Sequence, residues 1–242
     1  MKVGLFVPCY IDQFYPRVAV ATLELLERLG CDVAYPREQT CCGQPMANSG
    51  CAEDAEATHR HTAACFREFD YVVGPSGSCV LHLREHVEQT DTVRYYELCQ
   101  FLVEVLQVDR LHASFSGRVG LHASCHGLRG LRLASSSERR EPPFDHVAHL
   151  LGMIDGLDLV GLSRPDECCG FGGIFAVQEE AVSVRMGADR LDDHLRHGVE
   201  VITGADMSCL MHLDGLIRRR DMPLRVLHVA EILNGSAEAH HA

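Results

Sequence analysis

The chain has 242 residues, 46% of them hydrophobic and 23% charged, with a formal net charge of −12. This composition is typical of a globular protein and excludes a fully disordered chain. The acidic balance, without a basic stripe, disfavours nucleic acid as a partner. No stretch approaches the roughly 18 apolar residues of a membrane helix, and the opening apolar run is too short for a signal peptide. We therefore expect a cytoplasmic protein with no membrane segment.

Strand and helix patterns alternate along both halves of the chain. Short apolar runs indicate buried strands, and apolar residues at helical spacing indicate helices. The first half has predicted strands at residues 3–7, 32–35 and 71–74 and predicted helices at 16–29, 52–69 and 80–88. The second half has predicted strands at residues 118–122, 157–160 and 199–203 and predicted helices at 147–153, 178–197 and 210–219. This alternation predicts an α/β fold with parallel sheets flanked by helices.

Three matches in the same order indicate that the chain is a duplication. The matched segments are 3–9 with 119–125, 41–43 with 168–170, and 78–83 with 208–213. The second copy is longer, and we place its insertion in the polar segment 134–144, an expected surface loop. We predict two tandem, duplicated cysteine-rich domains, residues 1–112 and 113–242. The second ends in a small, polar tail that includes His240 and His241, for which we expect no fixed structure.

The chain contains 12 cysteines. In a reducing cytoplasm this abundance favours metal binding or redox chemistry over a disulfide framework. Each half carries a single cysteine, an adjacent pair followed by glycine, and a last cysteine that we expect at the start of a helix. The candidate cofactor-binding and metal-ligating residues are Cys9, Cys41, Cys42, Cys79, Cys125, Cys168, Cys169 and Cys209.

Four thiolates from three separate strand-end connections suit a [4Fe–4S] cluster or a tetrahedral zinc site. Neighbouring side chains of a strand point to opposite faces, so an adjacent pair reaches one metal centre only from a turn. Gly43 and Gly170 permit the backbone angles of such a turn and let backbone N–H groups approach the sulfurs. Each repeat therefore offers one such site, and the residues alone leave the cluster and the zinc ion as alternatives.

The four other cysteines are weaker candidates. A single buried cysteine is usually a small hydrophobic residue, and we expect this role for Cys31, Cys65 and Cys99. Cys51 has no counterpart in the second half, and we expect a structural role for it as well. The repeated cysteines therefore carry the functional prediction.

Histidines near the motifs are candidate neighbours of the metal groups. His82 and His212 each lie three residues after the last motif cysteine, which places them on the same helix face as that cysteine. They are candidate ligands or hydrogen-bond donors, or they belong to the helix surface. His122 and His126 flank Cys125 and are weaker candidates for contact with the metal group.

The cysteine pattern resembles the cysteine-rich CCG domain found twice in one subunit of heterodisulfide reductase, in the glycolate oxidase iron–sulfur subunit and in the lactate utilization protein A family. In the first half the likeness is carried by Cys9, Cys41-Cys42-Gly43-Gln44-Pro45 and Ser78-Cys79. In the second half it is carried by Cys125-His126, Cys168-Cys169-Gly170-Phe171-Gly172-Gly173 and Ser208-Cys209-Leu210-Met211-His212. Because two such units cover nearly the whole chain, it looks most like the lactate utilization protein A family.

The resemblance implies an iron–sulfur, electron-transferring component of a multi-protein system that oxidises L-lactate to pyruvate with two further proteins. The chain departs from the heterodisulfide reductase pattern, in which each repeat ends in Cys-x-x-Cys, because His82 and His212 stand at the fifth cysteine positions. Four cysteines per repeat still suffice for a cubane cluster, so we expect one [4Fe–4S] cluster per repeat, with zinc as an alternative in one repeat. A thiol–disulfide reductase subunit and a structural zinc-binding scaffold remain alternatives. The sequence shows no fingerprint of a nicotinamide or phosphate site, so we expect oxidoreductase activity to need partner subunits.

Overall fold

The computed structural model describes residues 1–88 and 93–236, and the tail with His240 and His241 lies outside the described residues. The strands of the first half are β1 (Lys2–Leu5), β2 (Asp32–Ala34), β3 (Tyr71–Gly74) and β4 (Arg94–Glu97). Its helices are α1 (Cys9–Phe14), α2 (Pro16–Arg28), α3 (Gln44–Asn48), α4 (Ala52–Phe66), α5 (Gly77–His86) and α6 (Leu98–Gln100), the last continued by a π-helix at Phe101–Val105.

The second half repeats this order of elements. Its strands are β5 (Ser114–Leu121), β6 (Asp155–Val160), β7 (Val201–Gly204) and β8 (Arg225–His228). Its helices are a π-helix at His126–Gly130, then α7 (His146–Leu151), α8 (Phe175–Gln178), α9 (Glu180–Arg196), α10 (Met207–Arg219) and α11 (Val229–Asn234). The predicted insertion at 134–144 forms neither helix nor strand, and an isolated bridge between Ala134 and Asp145 closes it.

Within the described residues the strands form two four-stranded sheets, ordered β2-β1-β3-β4 and β6-β5-β7-β8. Every pairing is parallel; Val3, for example, lies opposite Val33 on one side and Tyr71 on the other. Parallel neighbours require crossover connections, and the helices that supply these cover the sheets and bury central residues such as Val3 and Val119. The predicted α/β fold with duplicated parallel sheets is confirmed. The division at residues 112 and 113 stays a prediction, and each sheet takes its strands from one side of it.

Several short elements differ from the prediction. Strands β4 and β8 were not predicted, because the four-residue segments Arg94–Glu97 and Arg225–His228 mix polar and apolar residues without a clear period. Cys79 and Cys209 lie in the first turns of α5 and α10, as expected of the last motif cysteine, whereas Cys9 is the first residue of α1, a short helix that was not predicted. The sequence pattern alone does not show how early each helix begins.

The two halves pack as pseudo-symmetric partners. Ser76 and Asp206, which precede the last motif cysteine of their halves at equivalent positions, pair in an antiparallel bridge. Helix α11 packs against α2 of the other half, and α6 packs in the equivalent way against α7. Because of this arrangement, the carboxyl ends of both parallel sheets meet, which is where α/β proteins form their sites. Among the described residues, no helix combines the length and the apolar composition that spanning a membrane demands.

Candidate metal centre

All eight motif cysteines line one cavity between the halves, with a volume of about 440 Å³. Other parts of its wall come from α3, from α8 and from the glycine-rich segment that follows the second cysteine pair. The wall is mostly apolar, and none of the described residues that line it is Lys, Arg, Asp or Glu. The structure therefore brings together every cysteine that the repeat singles out.

In the first half the four thiols form a continuous chain of contacts. Cys9 hydrogen-bonds to Cys41, Cys41 to Cys42, and Cys42 to Cys79. The hydrogen bonds from Cys42 and then Cys9 lower the pKa of the Cys41 thiol to about 2. A thiolate is the form of cysteine that binds metal, so Cys41 is prepared for ligation.

The second half repeats this chain at the equivalent positions. The Sγ atoms of Cys125 and Cys168 lie 3.7 Å apart, and further side-chain hydrogen bonds join Cys168 to Cys169 and Cys169 to Cys209. The hydrogen bonds from Cys125 and then Cys169 lower the pKa of Cys168 to about 2. In both halves, therefore, the first cysteine of the adjacent pair is the acidic thiol.

The glycine after each pair makes the turn that aims both thiols into one site. Gly43 has φ +94° and Gly170 has φ +87°, a left-handed conformation that favours glycine. In the second half the Gly170 N–H donates to Cys168 Sγ at 3.4 Å, and the Phe171 N–H donates to Cys169 Sγ at 3.5 Å. Backbone N–H groups therefore approach the sulfur atoms of both paired cysteines in this half.

A polar bridge between the halves lies beside both cysteine sets, and it was not among the sequence predictions. The Tyr10 hydroxyl lies 3.1 Å from Ser76 Oγ and donates to Asp206 Oδ1 at 3.3 Å, while the Ser78 N–H donates to Asp206 Oδ2 at 2.6 Å. Burial and the Asp206 carboxylate raise the pKa of Tyr10 well above its usual value. Ser76 and Asp206 are helix N-caps, and a Ser or Asp three residues before each last motif cysteine is the signal that could have found them.

The candidate histidines His82 and His212 lie outside the lining of the cavity. His82 Nε2 lies 2.9 Å from His59 Nε2, and burial lowers the pKa of His82 to about 4. The ring of His212 packs 5.9 Å from that of Phe171, and burial also lowers its pKa. His126 does line the cavity. Direct ligation by His82 or His212 stays a prediction.

His122 lies close to two motif thiols. One of its ring nitrogens and the Sγ atoms of Cys169 and Cys209 all lie within 4.8 Å of one another. All three residues are buried, and burial together with the nearby Arg190 guanidinium lowers the pKa of His122 to about 3. The imidazole is therefore neutral at neutral pH, the form that binds metal.

The other cysteines lie away from the cavity. Cys31 and Cys99 are buried, Cys65 is half-buried with Sγ 3.4 Å from His61 Nε2, and Cys51 is exposed just before α4. The burial of Cys31 and Cys99 agrees with the role expected for them, whereas Cys65 is less buried than expected. Nothing in the structure explains why residue 51 is a cysteine.

The donor set fits a thiophilic metal or cluster. Each half offers four thiols that line the cavity, one of them acidic. Thiolate ligands select zinc and iron–sulfur clusters over magnesium or calcium, which prefer oxygen.

Comparison with known proteins gives the family. A family model for the cysteine-rich domain named CCG matches residues 3–84 and 119–214. Lactate utilization protein A of Exiguobacterium sp. is 43% identical over 247 residues, covering 96% of this chain and 97% of that protein. Lactate utilization protein A of Bacillus subtilis is 40% identical over 246 residues, covering 97% of this chain and 99% of that protein. The chain belongs to the lactate utilization protein A family.

The two CCG matches contain the two cysteine sets, so each set lies in its own copy of the family's domain. Among solved structures, Picrophilus torridus aspartate racemase matches with a TM-score of 0.38 and 12% identity, covering 97% of this chain and 91% of that chain. A likeness at that level carries no conclusion about activity.

Proposed function

We propose that this chain is an iron–sulfur, electron-transferring component of a multi-protein, cytoplasmic system that oxidises L-lactate to pyruvate. The observation that carries the proposal is the gathering of two four-thiol sets around one cavity. The names of its relatives supply the lactate context. In this proposal Cys9, Cys41, Cys42 and Cys79 hold one [4Fe–4S] cluster, and Cys125, Cys168, Cys169 and Cys209 hold the other.

The chain's own residues would hold the clusters and control access to them. Iron–sulfur clusters, when bound, accept and release single electrons. The acidic thiols Cys41 and Cys168 supply thiolate ligands, and the backbone N–H groups of Gly170 and Phe171 donate to sulfur and so tune its charge. The wall around the thiols is largely apolar.

The character of the cavity favours electron transfer over lactate binding. A hydroxy acid carries a carboxylate, which proteins hold with arginine, lysine or clustered backbone N–H groups. The described lining has no arginine or lysine side chain. We therefore assign lactate oxidation to a partner subunit and electron acceptance to this chain.

One observation favours a second candidate, a zinc site in the second half. The 3.7 Å between the Sγ atoms of Cys125 and Cys168 is close to the edge of a tetrahedron of thiolates around zinc, about 3.8 Å for Zn–S bonds of about 2.3 Å. This candidate would make the second half structural and leave one cluster in the first half.

Metal analysis of the full-length chain, purified without oxygen, tests the proposal. The expected result is a brown protein with iron and acid-labile sulfide in equal amounts and no zinc. Its visible absorption should bleach with L-lactate only when the partner proteins of the system are added, and not with the chain alone.

A colourless protein with stoichiometric zinc and no sulfide would overturn the proposal. Iron and zinc together in one chain would support the mixed candidate. A paramagnetic signal that forms on oxidation only with an added thiol would favour the thiol–disulfide reductase alternative instead.

A further inference from the structure

Phe6 and His122 occupy equivalent positions in the two halves. Each is the residue directly after its half's central strand, β1 or β5. The Phe6 N–H donates to the Val73 carbonyl at 2.9 Å, and the His122 N–H donates to the Thr203 carbonyl at 2.7 Å. Because the backbone contacts agree, the two side chains leave the sheet at the same place in each half.

The two side chains meet different surroundings. The Phe6 ring packs edge-on against Phe66, with ring centroids 6.2 Å apart, so it is an ordinary core residue. His122 is 1% exposed, and neither of its ring nitrogens has a hydrogen-bond partner. A buried polar atom without a partner costs free energy. Phe6 shows that the fold does not require a polar side chain at this position. The imidazole therefore needs a partner that the protein atoms do not supply.

We propose that His122 is a fifth protein ligand of the metal centre in the second half, in addition to its four cysteines, which makes that centre a mixed nitrogen–sulfur site. This inference rests on the proposed function, since it requires that the second cysteine set binds metal. Its basis is the group of a ring nitrogen and the Sγ atoms of Cys169 and Cys209 within 4.8 Å of one another. Phe6 has no donor atom, so the first half keeps an all-thiolate centre and the two centres differ in ligand type.

A water molecule is the alternative partner. A small cavity of about 20 Å³ beside His122 is also lined by Ser124, and it has room for one water. One water satisfies one ring nitrogen, but the imidazole has two. A metal on one nitrogen and a hydrogen bond on the other is the usual arrangement of a metal-bound histidine.

Pulsed electron paramagnetic resonance on protein with ¹⁵N-labelled histidine tests the ligand directly. Two reduced samples are compared, the full-length chain and its Cys42→Ser variant. The variant lacks the first centre, so its signal comes from the second centre alone. We expect the hyperfine coupling of a directly bound nitrogen in both samples, and in His212→Gln, a control that removes another buried histidine. The coupling should disappear in His122→Phe, which introduces the aromatic residue of the first half, while the iron content is retained.

Iron in the second half without nitrogen coupling would overturn the inference and leave the proposed function standing. Coupling that survives His122→Phe, or that is lost in His212→Gln, would overturn it too. If the second half holds zinc and no iron, the proposed cluster in that half fails but the ligand assignment is still tested by replacing zinc with Co²⁺. The visible bands of the Co²⁺ protein should then shift in His122→Phe, and identical spectra would refute the assignment.

Discussion

Each half holds four motif thiols on an equivalent backbone, but different side chains surround the thiols in the two halves. In the first half Phe6 follows the central strand, and His59, His82 and His86 pack together behind the adjacent cysteine pair, with the His82 and His86 ring centroids 4.3 Å apart. In the second half His122 replaces the phenyl ring and approaches two of the thiols. The fold therefore determines where the thiols lie, whereas the residues around them determine how each centre behaves.

Among the changes that test this comparison, we expect the removal of a motif thiol from either half to have the largest effect, a loss of bound iron. Cys42→Ser and Cys169→Ser should each remove about half of the iron, because a four-thiolate site rarely survives the loss of one ligand and metal binding is coupled to local folding. Iron and sulfide analysis of anaerobically purified variants measures this. Cys65→Ser is the control, since its thiol lies outside the cavity, and it should keep all the iron. Equal iron in the three variants would show that the ligands are assigned wrongly.

Replacing the glycine of each cysteine motif with alanine should destabilise the protein more in the second half than in the first. In the left-handed conformation alanine costs about 1–2 kcal/mol. A Cβ at Gly43 would lie 2.7 Å from the end of the His59 side chain, which can move, whereas at Gly170 it would lie 2.6 Å from the Ser183 carbonyl, which cannot. We therefore expect Gly170→Ala to cost about 3 kcal/mol in the free energy of unfolding and Gly43→Ala less.

Urea unfolding of the metal-free protein measures these differences, and Gly50→Ala is the matched control. Gly50 has φ +84°, and a Cβ added to it would meet nothing within 4 Å, so this variant reports the backbone cost alone. A Gly170→Ala variant no less stable than Gly50→Ala would contradict the crowding described at the second cysteine pair.

The last helix of each half should respond to pH in opposite directions. Glu97 caps α6 and His228 caps α11 at equivalent positions, and both are buried. Burial raises the pKa of Glu97 to about 8 and lowers that of His228 to about 4. The stability that depends on neutral Glu97 is therefore complete below pH 4.5 and lost as the pH rises towards 8. The stability that depends on neutral His228 is complete above pH 6.5 and lost as the pH falls towards 4.

Hydrogen exchange of the amides in α6 and α11, corrected for intrinsic rates, follows this pH dependence. The free energy of opening of each helix should change by at most about 1.4 kcal/mol per pH unit, and this change is its slope. Glu97→Gln should abolish the slope of the first half alone, and His228→Gln that of the second half alone. Slopes of the same sign in both helices would show that the caps do not control them.

The sequence was sufficient for the fold class, the duplication and the cysteine sets, because these depend on local spacing. The pair-plus-glycine motif also predicted the turn at Gly43 and Gly170, because glycine is the residue that most readily adopts a positive φ. Strands β4 and β8 were missed because four residues of mixed polarity show no period.

The contacts between the halves could not be predicted. The Tyr10 to Asp206 hydrogen bond joins residues 196 positions apart, and no local pattern shows that the carboxyl ends of the two sheets face each other. For the same reason the sequence predicted two separate sites rather than one shared cavity. His122 was only a weak candidate, because its position relative to Cys169 and Cys209 depends on the completed fold.

The shared cavity makes the number of metal centres the central question. Crystals of anaerobically purified protein, measured at the iron absorption edge, answer it directly. We expect two separate anomalous peaks, one beside Cys42 and one beside Cys169, each surrounded by the thiols of a single half. One peak shared by the eight thiols, or an anomalous signal at the zinc edge only, would contradict this expectation.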